Sequence, residues 1–175
     1  PGVSLGAELD HHDAVEGAQP DGEDQKVVPL VERAGQGDHG QAGVALVSAD
    51  CRAWSAVKTG TASRLLAVGM NAQGVAYAVG AFGTILRSSD WGSTWAPVMV
   101  NWTGFTADGA EPHLYDVHVG PDGQASIVGE FELVLRSDAA GANWKALHKG
   151  SRSLFALRVL DDGRIYACGQ SGALI

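Results

Sequence analysis

From residue 65 onward, short apolar runs alternate with turns that are rich in Gly, Asn and Asp. The best-defined runs occupy 65–70, 75–79 and 84–88, and a fourth begins near Trp95. Runs of this length separated by Gly-containing turns are typical of β-strands joined in hairpins. The pattern therefore predicts four short antiparallel strands in this stretch. It also predicts that residues 60–175 contain no α-helix longer than two turns.

The four-strand pattern repeats along the chain. Residues 65–95 align without a gap with residues 114–144 at an offset of 49, and a further copy begins at Leu154 at an offset of 40. Residues 43–50 precede the matching residues 83–90 by 40. Four strands repeated at such a period are typical of a β-propeller blade, whereas a β-sandwich would not repeat one unit at a fixed period. We therefore expect an all-β propeller of four-stranded antiparallel blades.

Charge and aromatic content divide the chain near residue 42. Residues 1–42 hold nine acidic and two basic residues and no aromatic residue, so we expect this segment to be poorly ordered or outside the propeller. Its one short apolar run, 25–32, is interrupted by Pro29. The expected division of the remainder, 43–175, is a half-blade at 43–59, blades at 60–112 and 113–150, and an incomplete blade at 151–175.

The blade count predicts an incomplete propeller. Propellers close with about four to eight blades, and 43–175 holds material for about three. An incomplete ring would expose apolar sheet faces and unpaired strand edges, so self-association through these edges is expected.

The turn before the fourth strand carries a specific motif, S-x-D-x-G-x-T-W. Its residues are Ser88, Asp90, Gly92, Thr94 and Trp95. The Asp carboxylate can accept backbone N–H groups of its own turn, and the Trp can fill the layer between blades, so we expect a structural role. The later copy keeps Ser137, Gly141 and Trp144 but places Asp138 one residue early, and the earlier copy keeps Ser48, Asp50 and Trp54 but lacks one residue and the Gly. We expect the three Trp residues to occupy equivalent positions.

This motif resembles the Asp box of the bacterial neuraminidase repeats, and we call its turn the Asp-box turn. Together with the preceding VGAFGTILRS, it makes residues 43–175 similar to propellers of the photosystem II assembly and stability factors. The resemblance implies a non-catalytic propeller that binds a protein partner, such as a membrane-protein subunit during assembly. It also favours an extracytoplasmic location in a periplasm, cell envelope or lumen, although the chain shows no signal peptide.

Two alternatives to the assembly-factor function remain open. A sialidase-like glycoside hydrolase or sugar-binding propeller of the same superfamily would need facing carboxylates, and Glu130 and Glu132 have no counterparts in the other copies. We therefore expect the protein not to be an enzyme. The other alternative is a truncated product without independent function.

Candidate partner-binding residues come from two features. Arg87 and Arg136 are repeat-equivalent, which also suits a structural role. The segment 103–113 lengthens one connection between blades, and such connections lie on a propeller face where partners bind. Its candidate contact residues are Phe105, Asp108, Glu111 and His113.

Composition excludes several other classes of protein. A net charge of −8 argues against a nucleic-acid binder, and no apolar stretch approaches the length of a membrane span. Cys51 and Cys168 do not have zinc-site spacing, and Cys168 is expected to be a small core residue. The metal-ligand types at 10–13 lie in the segment expected to be poorly ordered. No cofactor or metal is therefore predicted.

Overall fold

The computed structural model of this chain describes residues 26–29 and 43–175, which form antiparallel β-sheets. The strands are β1 Lys26–Pro29, β2 Val44–Ser48, β3 Ser55–Lys58, β4 Leu65–Met70, β5 Ala76–Gly80, β6 Ile85–Ser88, β7 Ala96–Pro97, β8 Leu114–Val119, β9 Ala125–Gly129, β10 Val134–Ser137, β11 Trp144–His148, β12 Leu154–Val159 and β13 Ile165–Gly169. The helical segments of the described residues are single 3-10 turns at Trp102–Gly104, Ala107–Gly109 and Gln170–Gly172. The predicted all-β class is confirmed.

The strands form four sheets in chain order. The first sheet contains β1-β2-β3, the second β4-β5-β6-β7, the third β8-β9-β10-β11 and the fourth β12-β13. The first strand of each of the last three sheets (β4, β8 and β12), which we call the inner strand, contains a β-bulge at the same place. Leu66, Tyr115 and Phe155 are the bulged residues, and each is unpaired with the next strand. The predicted run 65–70 coincides with β4, and the absence of a longer helix from residues 60–175 is confirmed.

Apolar side chains fill the layers between successive sheets. The largest cluster joins the second and third sheets and includes Tyr77, Ile85, Leu114, Ile127 and Leu135. A second cluster joins the third and fourth sheets, and a third cluster lies on the second sheet and includes Trp95. Because the middle sheets are covered on both faces, every residue of β5 and β9 is buried.

The first sheet includes one strand from the segment that precedes residue 43. β1 pairs antiparallel with β2, with Lys26 opposite Ser48 and Pro29 opposite Ala45. Pro29 is accommodated because β1 is the outer strand of its sheet in the described part of the chain. The rest of 1–42 lies outside the described residues, including the candidate metal ligands at 10–13, and the domain boundary at residue 42 stays a prediction.

The turns after β5 and β9 each donate a backbone hydrogen bond to the segment that leads into the next sheet. Gly83 donates its backbone N–H to the Pro112 carbonyl at 2.7 Å, and Glu132 donates its N–H to the Arg152 carbonyl. Gly83 has a φ of +62°, and an added Cβ would lie 2.6 Å from the Trp102 indole nitrogen, so Gly is required there. The Glu132 carboxylate instead pairs with Arg152. The same turn position therefore anchors both connections, by packing in one case and by charge in the other.

The hairpin topology gives the stacked sheets two distinct ends. The Asp-box end carries the turns after β4, β8 and β12 and the Asp-box turns, and the Trp91 N–H donates to the Gly74 carbonyl there. The connection end carries the turns after β5 and β9 and the segments that join one sheet to the next.

Two expectations about individual residues are wrong. Trp54 does not match Trp95 and Trp144, since 39% of its surface is exposed. The first copy lacks the turn Gly whose carbonyl accepts the indole N–H in the other two copies. Cys168 is exposed rather than buried, because it alternates with the buried Ala167 and lies on the opposite face of β13.

Candidate functional site

The Asp-box turn of the second sheet is closed on itself by hydrogen bonds. The Asp90 carboxylate accepts the Thr94 backbone N–H at 2.9 Å, the Thr94 hydroxyl at 2.6 Å and the Ser88 hydroxyl at 2.7 Å. The Trp95 indole N–H donates to the Gly92 carbonyl at 2.9 Å. Partial burial opposes ionisation of Asp90, but the hydrogen bonds from Thr94 and Ser88 outweigh it and lower its pKa. Asp90 is thus fully engaged within its own turn.

In the other two copies, an Asp carboxylate also accepts hydrogen bonds from its own turn, but the donor residues differ. Asp138 accepts the Ala142 backbone N–H at 2.9 Å and the Asn143 side-chain amide at 2.6 Å, so it closes the turn from one position earlier. Asp50 accepts the backbone N–H groups of Arg52 and Ala53. Hydrogen bonds lower the pKa of both carboxyls, chiefly that from Asn143 for Asp138 and that from the Ala53 backbone for Asp50.

A row of three residues crosses the second sheet near its Asp-box end, and its central side chain is completely buried. Gly69, Tyr77 and Arg87 lie opposite one another on β4, β5 and β6. Tyr77 is completely buried and its ring meets Trp144 edge to face at 6.1 Å, while the Arg87 guanidinium lies 5.9 Å above the Tyr77 ring. Arg87 therefore packs on the layer between the second and third sheets, although its Nε has no hydrogen-bond partner in the described structure.

The equivalent row on the third sheet is open. His118, Ser126 and Arg136 lie opposite one another on β8, β9 and β10. The small Ser126 stands where the second sheet has Tyr77, and all three side chains line a cavity. Val159 and Leu160 of the fourth sheet complete its wall. We refer to this space as the basic cavity.

The basic cavity, named for Arg136 and His118, has a volume of about 630 Å³. Arg136 donates its Nε–H to the Ser126 hydroxyl at 3.3 Å, and it forms no salt bridge among the described residues. Asp122 and Asp161 also border the cavity, and both are exposed. The cavity therefore offers a guanidinium and an imidazole to an anionic or hydrogen-bonding group.

Two arginines and one aspartate act on the ionisation of His118. Burial lowers the pKa of His118 first, and the positive charges of Arg158 and Arg136 lower it further, while Asp116 opposes them. Asp116 is itself occupied, because its carboxylate accepts the Leu157 backbone N–H at 2.8 Å and joins β8 to β12. An anionic group that entered the cavity would favour the protonated form of His118.

The candidate residues of the long connection are spread over several environments. Phe105 is half-buried and packs edge to face on Trp102, with ring centroids 6.3 Å apart. Asp108 and Glu111 are exposed. His113 is half-buried at the start of β8, where its ring lies 5.0 Å from that of Phe82. The structure thus brings none of these side chains to the basic cavity, which lies at the other end of the sheets.

Of the residues that line the basic cavity, sequence reasoning selected Arg136 alone. The sequence alone did not predict a role for His118 or Ser126. The signal that could have found them is the repeat alignment itself, because Ser126 replaces Tyr77 and His118 replaces Gly69 at an offset of 49. A small residue opposite a basic one, where the preceding copy has a large aromatic residue, indicates an opening.

The described residues lack two features, a metal-binding cluster and a membrane-spanning helix. Residues 26–29 and 43–175 contain no group of three His, Cys, Asp or Glu side chains placed to hold a metal ion. Within the same residues, none of the helices has the length and apolar character required to cross a membrane.

Comparison with known proteins identifies the fold. No protein-family model matches this sequence, and no curated protein matches it. YCF48 from Cyanidioschyzon merolae is 22% identical with a TM-score of 0.56, over 67% of this chain and 38% of that protein. A structure described as YCF48 bound to D1 peptide is 18% identical with a TM-score of 0.57, over 75% of this chain and 43% of that one.

This chain therefore spans about two fifths of the length of the structures it matches. At these identities the likeness concerns the fold. The resemblance to the propellers of photosystem II assembly factors, found in the repeats and the Asp box, is confirmed at that level.

Proposed function

We propose that this chain is a non-catalytic protein-binding propeller of the assembly-factor type, and that the basic cavity receives a peptide segment of its partner. The observation that carries the proposal is the open row at His118, Ser126 and Arg136, in a fold shared with a protein solved with a bound peptide. The partner class that we infer is a membrane-protein subunit that exposes such a segment during assembly.

The chemistry of the basic cavity favours a carboxylate-bearing segment. Arg136 presents a planar fork of N–H donors that suits a carboxylate, and the described residues give it no acidic partner. Ser126 and Gln124 add polar groups beside it, and Val159 and Leu160 supply apolar wall. The combination of apolar wall and few polar groups is typical of sites that bind a short segment.

The carboxylates that a glycoside hydrolase could use are occupied by structural contacts. Glu130 accepts the His113 backbone N–H at 2.8 Å. Glu132 is buried and pairs with Arg152, with His148 at 3.5 Å, and the Arg152 hydrogen bond lowers its pKa. A glycosidase requires one carboxyl kept protonated as an acid and a second facing it across the sugar bond. These assignments support the non-catalytic function over the sialidase-like alternative.

The experiment is a fluorescence anisotropy titration of the 175-residue chain with a labelled D1 peptide, the ligand described for the related structure. Arg136→Gln is expected to weaken binding about tenfold, because it removes a charge-assisted hydrogen bond. Ser126→Tyr restores the side chain of the packed row and is expected to abolish binding by filling the cavity.

Lys58→Gln is the control, since it removes one positive charge from an exposed position on β3 of the first sheet. Melting temperatures of all variants separate lost binding from lost folding. Equal weakening by Arg136→Gln and Lys58→Gln, or unchanged binding in folded Ser126→Tyr, would show that the basic cavity is not the peptide site.

A further inference from the structure

A row of aromatic rings crosses the connection end of the sheets. The Phe82 ring lies 5.0 Å from that of His113, His113 lies 6.5 Å from Tyr115, and Tyr115 lies 5.2 Å from Phe155. These residues come from the turn after β5, the start of β8 and the start of β12, so the row spans three sheets. We call it the aromatic row.

The two ends of the aromatic row are open to solvent. Phe82 is 66% exposed and Phe155 is 51% exposed, although large apolar side chains are normally covered. Phe82 also has a φ of +53°, a left-handed conformation that is unfavourable for a bulky residue. The equivalent turn residues Phe131 and Ser171 have φ values of +59° and +55°, so this conformation belongs to the repeated turn. A ligand-binding role for the row therefore rests on the exposure and contacts of its rings.

Carboxylates adjoin the rings at two points. The Glu130 carboxylate accepts the His113 backbone N–H, and its charge adds to the effect of burial in raising the pKa of Tyr115. Glu111 is exposed and shares a cavity of about 350 Å³ with Phe82. Aromatic faces attract cations, and a neighbouring carboxylate adds a charge-assisted hydrogen bond.

We propose that the aromatic row is a second docking surface, and that its occupant is an extended peptide segment in which arginine or lysine alternates with apolar residues. The basic side chains lie against the rings and reach the exposed Glu111, while the apolar side chains cover Phe82 and Phe155. This surface lies at the opposite end of the sheets from the basic cavity and has the opposite charge preference. The two sites therefore take different segments and do not compete.

The test uses two labelled peptides with the 175-residue chain, one alternating arginine with leucine and the other alternating glutamate with leucine. Anisotropy is expected to show saturable binding of the arginine peptide. Binding of the glutamate peptide is expected to be independent of Phe82 and Phe155, because the basic cavity is the site proposed for carboxylate-bearing segments. Phe82→Gly and Phe155→Ala are each expected to weaken binding about fivefold. Phe82→Gly relieves the positive φ, so folding is retained.

Phe131→Gly is the matched control, because Phe131 is the repeat equivalent of Phe82, has a φ of +59° and is 40% exposed, yet lies outside the aromatic row. It is expected to change binding less than twofold. Glu111→Gln is expected to weaken binding of the arginine peptide, because it removes an exposed carboxylate beside Phe82.

Three outcomes would overturn this proposal. The first is equal weakening by the Phe82 and Phe131 variants, which would indicate non-specific attraction to an acidic protein. The second is an absence of arginine-peptide binding at millimolar concentration. The third is Phe82-dependent binding of an oligosaccharide panel or of neutral phosphatidylcholine vesicles without peptide binding, which would assign the row to another kind of ligand.

Discussion

Replacing Tyr77 by Phe is expected to stabilise this protein, although Tyr77 lies at the centre of its largest core cluster. Tyr77 is completely buried, and its hydroxyl has no hydrogen-bond partner in the described structure. The hydroxyl fits because the facing residue is Gly141, where an added Cβ would collide with it. The Phe ring retains the contacts with Trp144 and the Arg87 guanidinium.

The magnitude follows from two opposing effects. A buried hydroxyl without a partner costs about 1–3 kcal/mol of folding free energy, which the substitution recovers. The space vacated by the oxygen, about 10 Å³, costs about 0.2 kcal/mol at the known dependence of stability on cavity volume. The net expectation is a gain of about 1 kcal/mol, equivalent to a rise of about 3 °C in the melting temperature.

The assay is urea denaturation followed by Trp fluorescence, with calorimetry as a second measure. Tyr166→Phe is the control, because Tyr166 is 44% exposed and water can solvate its hydroxyl, so no change in stability is expected. A loss of more than about 0.5 kcal/mol in Tyr77→Phe would refute the reasoning, because it would mean that the hydroxyl has a partner worth that much.

The remaining predictions concern the Asp-box turns. Asp90→Ala should destabilise the protein by about 1 kcal/mol, as the loss of a capping carboxylate does. Asp90→Asn should lose less stability, because its amide oxygen still accepts the Thr94 N–H. Denaturant midpoints measure both effects, and an unchanged midpoint for Asp90→Ala would contradict the structural role. Asp50, Asp90 and Asp138 have folded-state pKa values below the usual 3.8, so their stabilisation is complete above pH 4 to 5 and is lost as the pH falls through those lowered values. Stability measured from pH 6 down to 2 should therefore fall below about pH 4, with a smaller fall in Asp90→Ala, and an equal fall would be inconsistent with this assignment.

The hairpins could be predicted from the sequence because local chemistry determines them. Turn glycines such as Gly74 and Gly123 have φ values of +80° and +83°, and the apolar runs between turns match strands whose two faces are covered. β1 could not be predicted by the repeat, because its pairing with β2 depends on a contact between distant segments. A run of four residues containing Pro29 carries too little local signal to indicate that partner.

The site was harder to predict because it depends on differences between repeats. The alignment drew attention to shared residues such as Arg87 and Arg136, yet one packs on Tyr77 and the other faces the basic cavity. The difference comes from Ser126, a neighbour across the sheet that is ten residues away in sequence. The aromatic row likewise joins rings from three repeats, and sequence spacing alone does not show that bulged residues such as Tyr115 and Phe155 meet.

Each connection between sheets is anchored by the turn that precedes it. The position of the next sheet therefore does not depend on the length of the chain between the two sheets. Gly83 holds the chain at Pro112 after a long excursion from β7, whereas Glu132 holds it at Arg152 only a few residues after β11. In both cases the next inner strand starts from the same place relative to the turn. Residues inserted between β7 and Pro112 would therefore enlarge one surface of the molecule without displacing the neighbouring sheet. The segment between β7 and Pro112 can therefore accept new recognition segments, whether by evolution or by protein engineering.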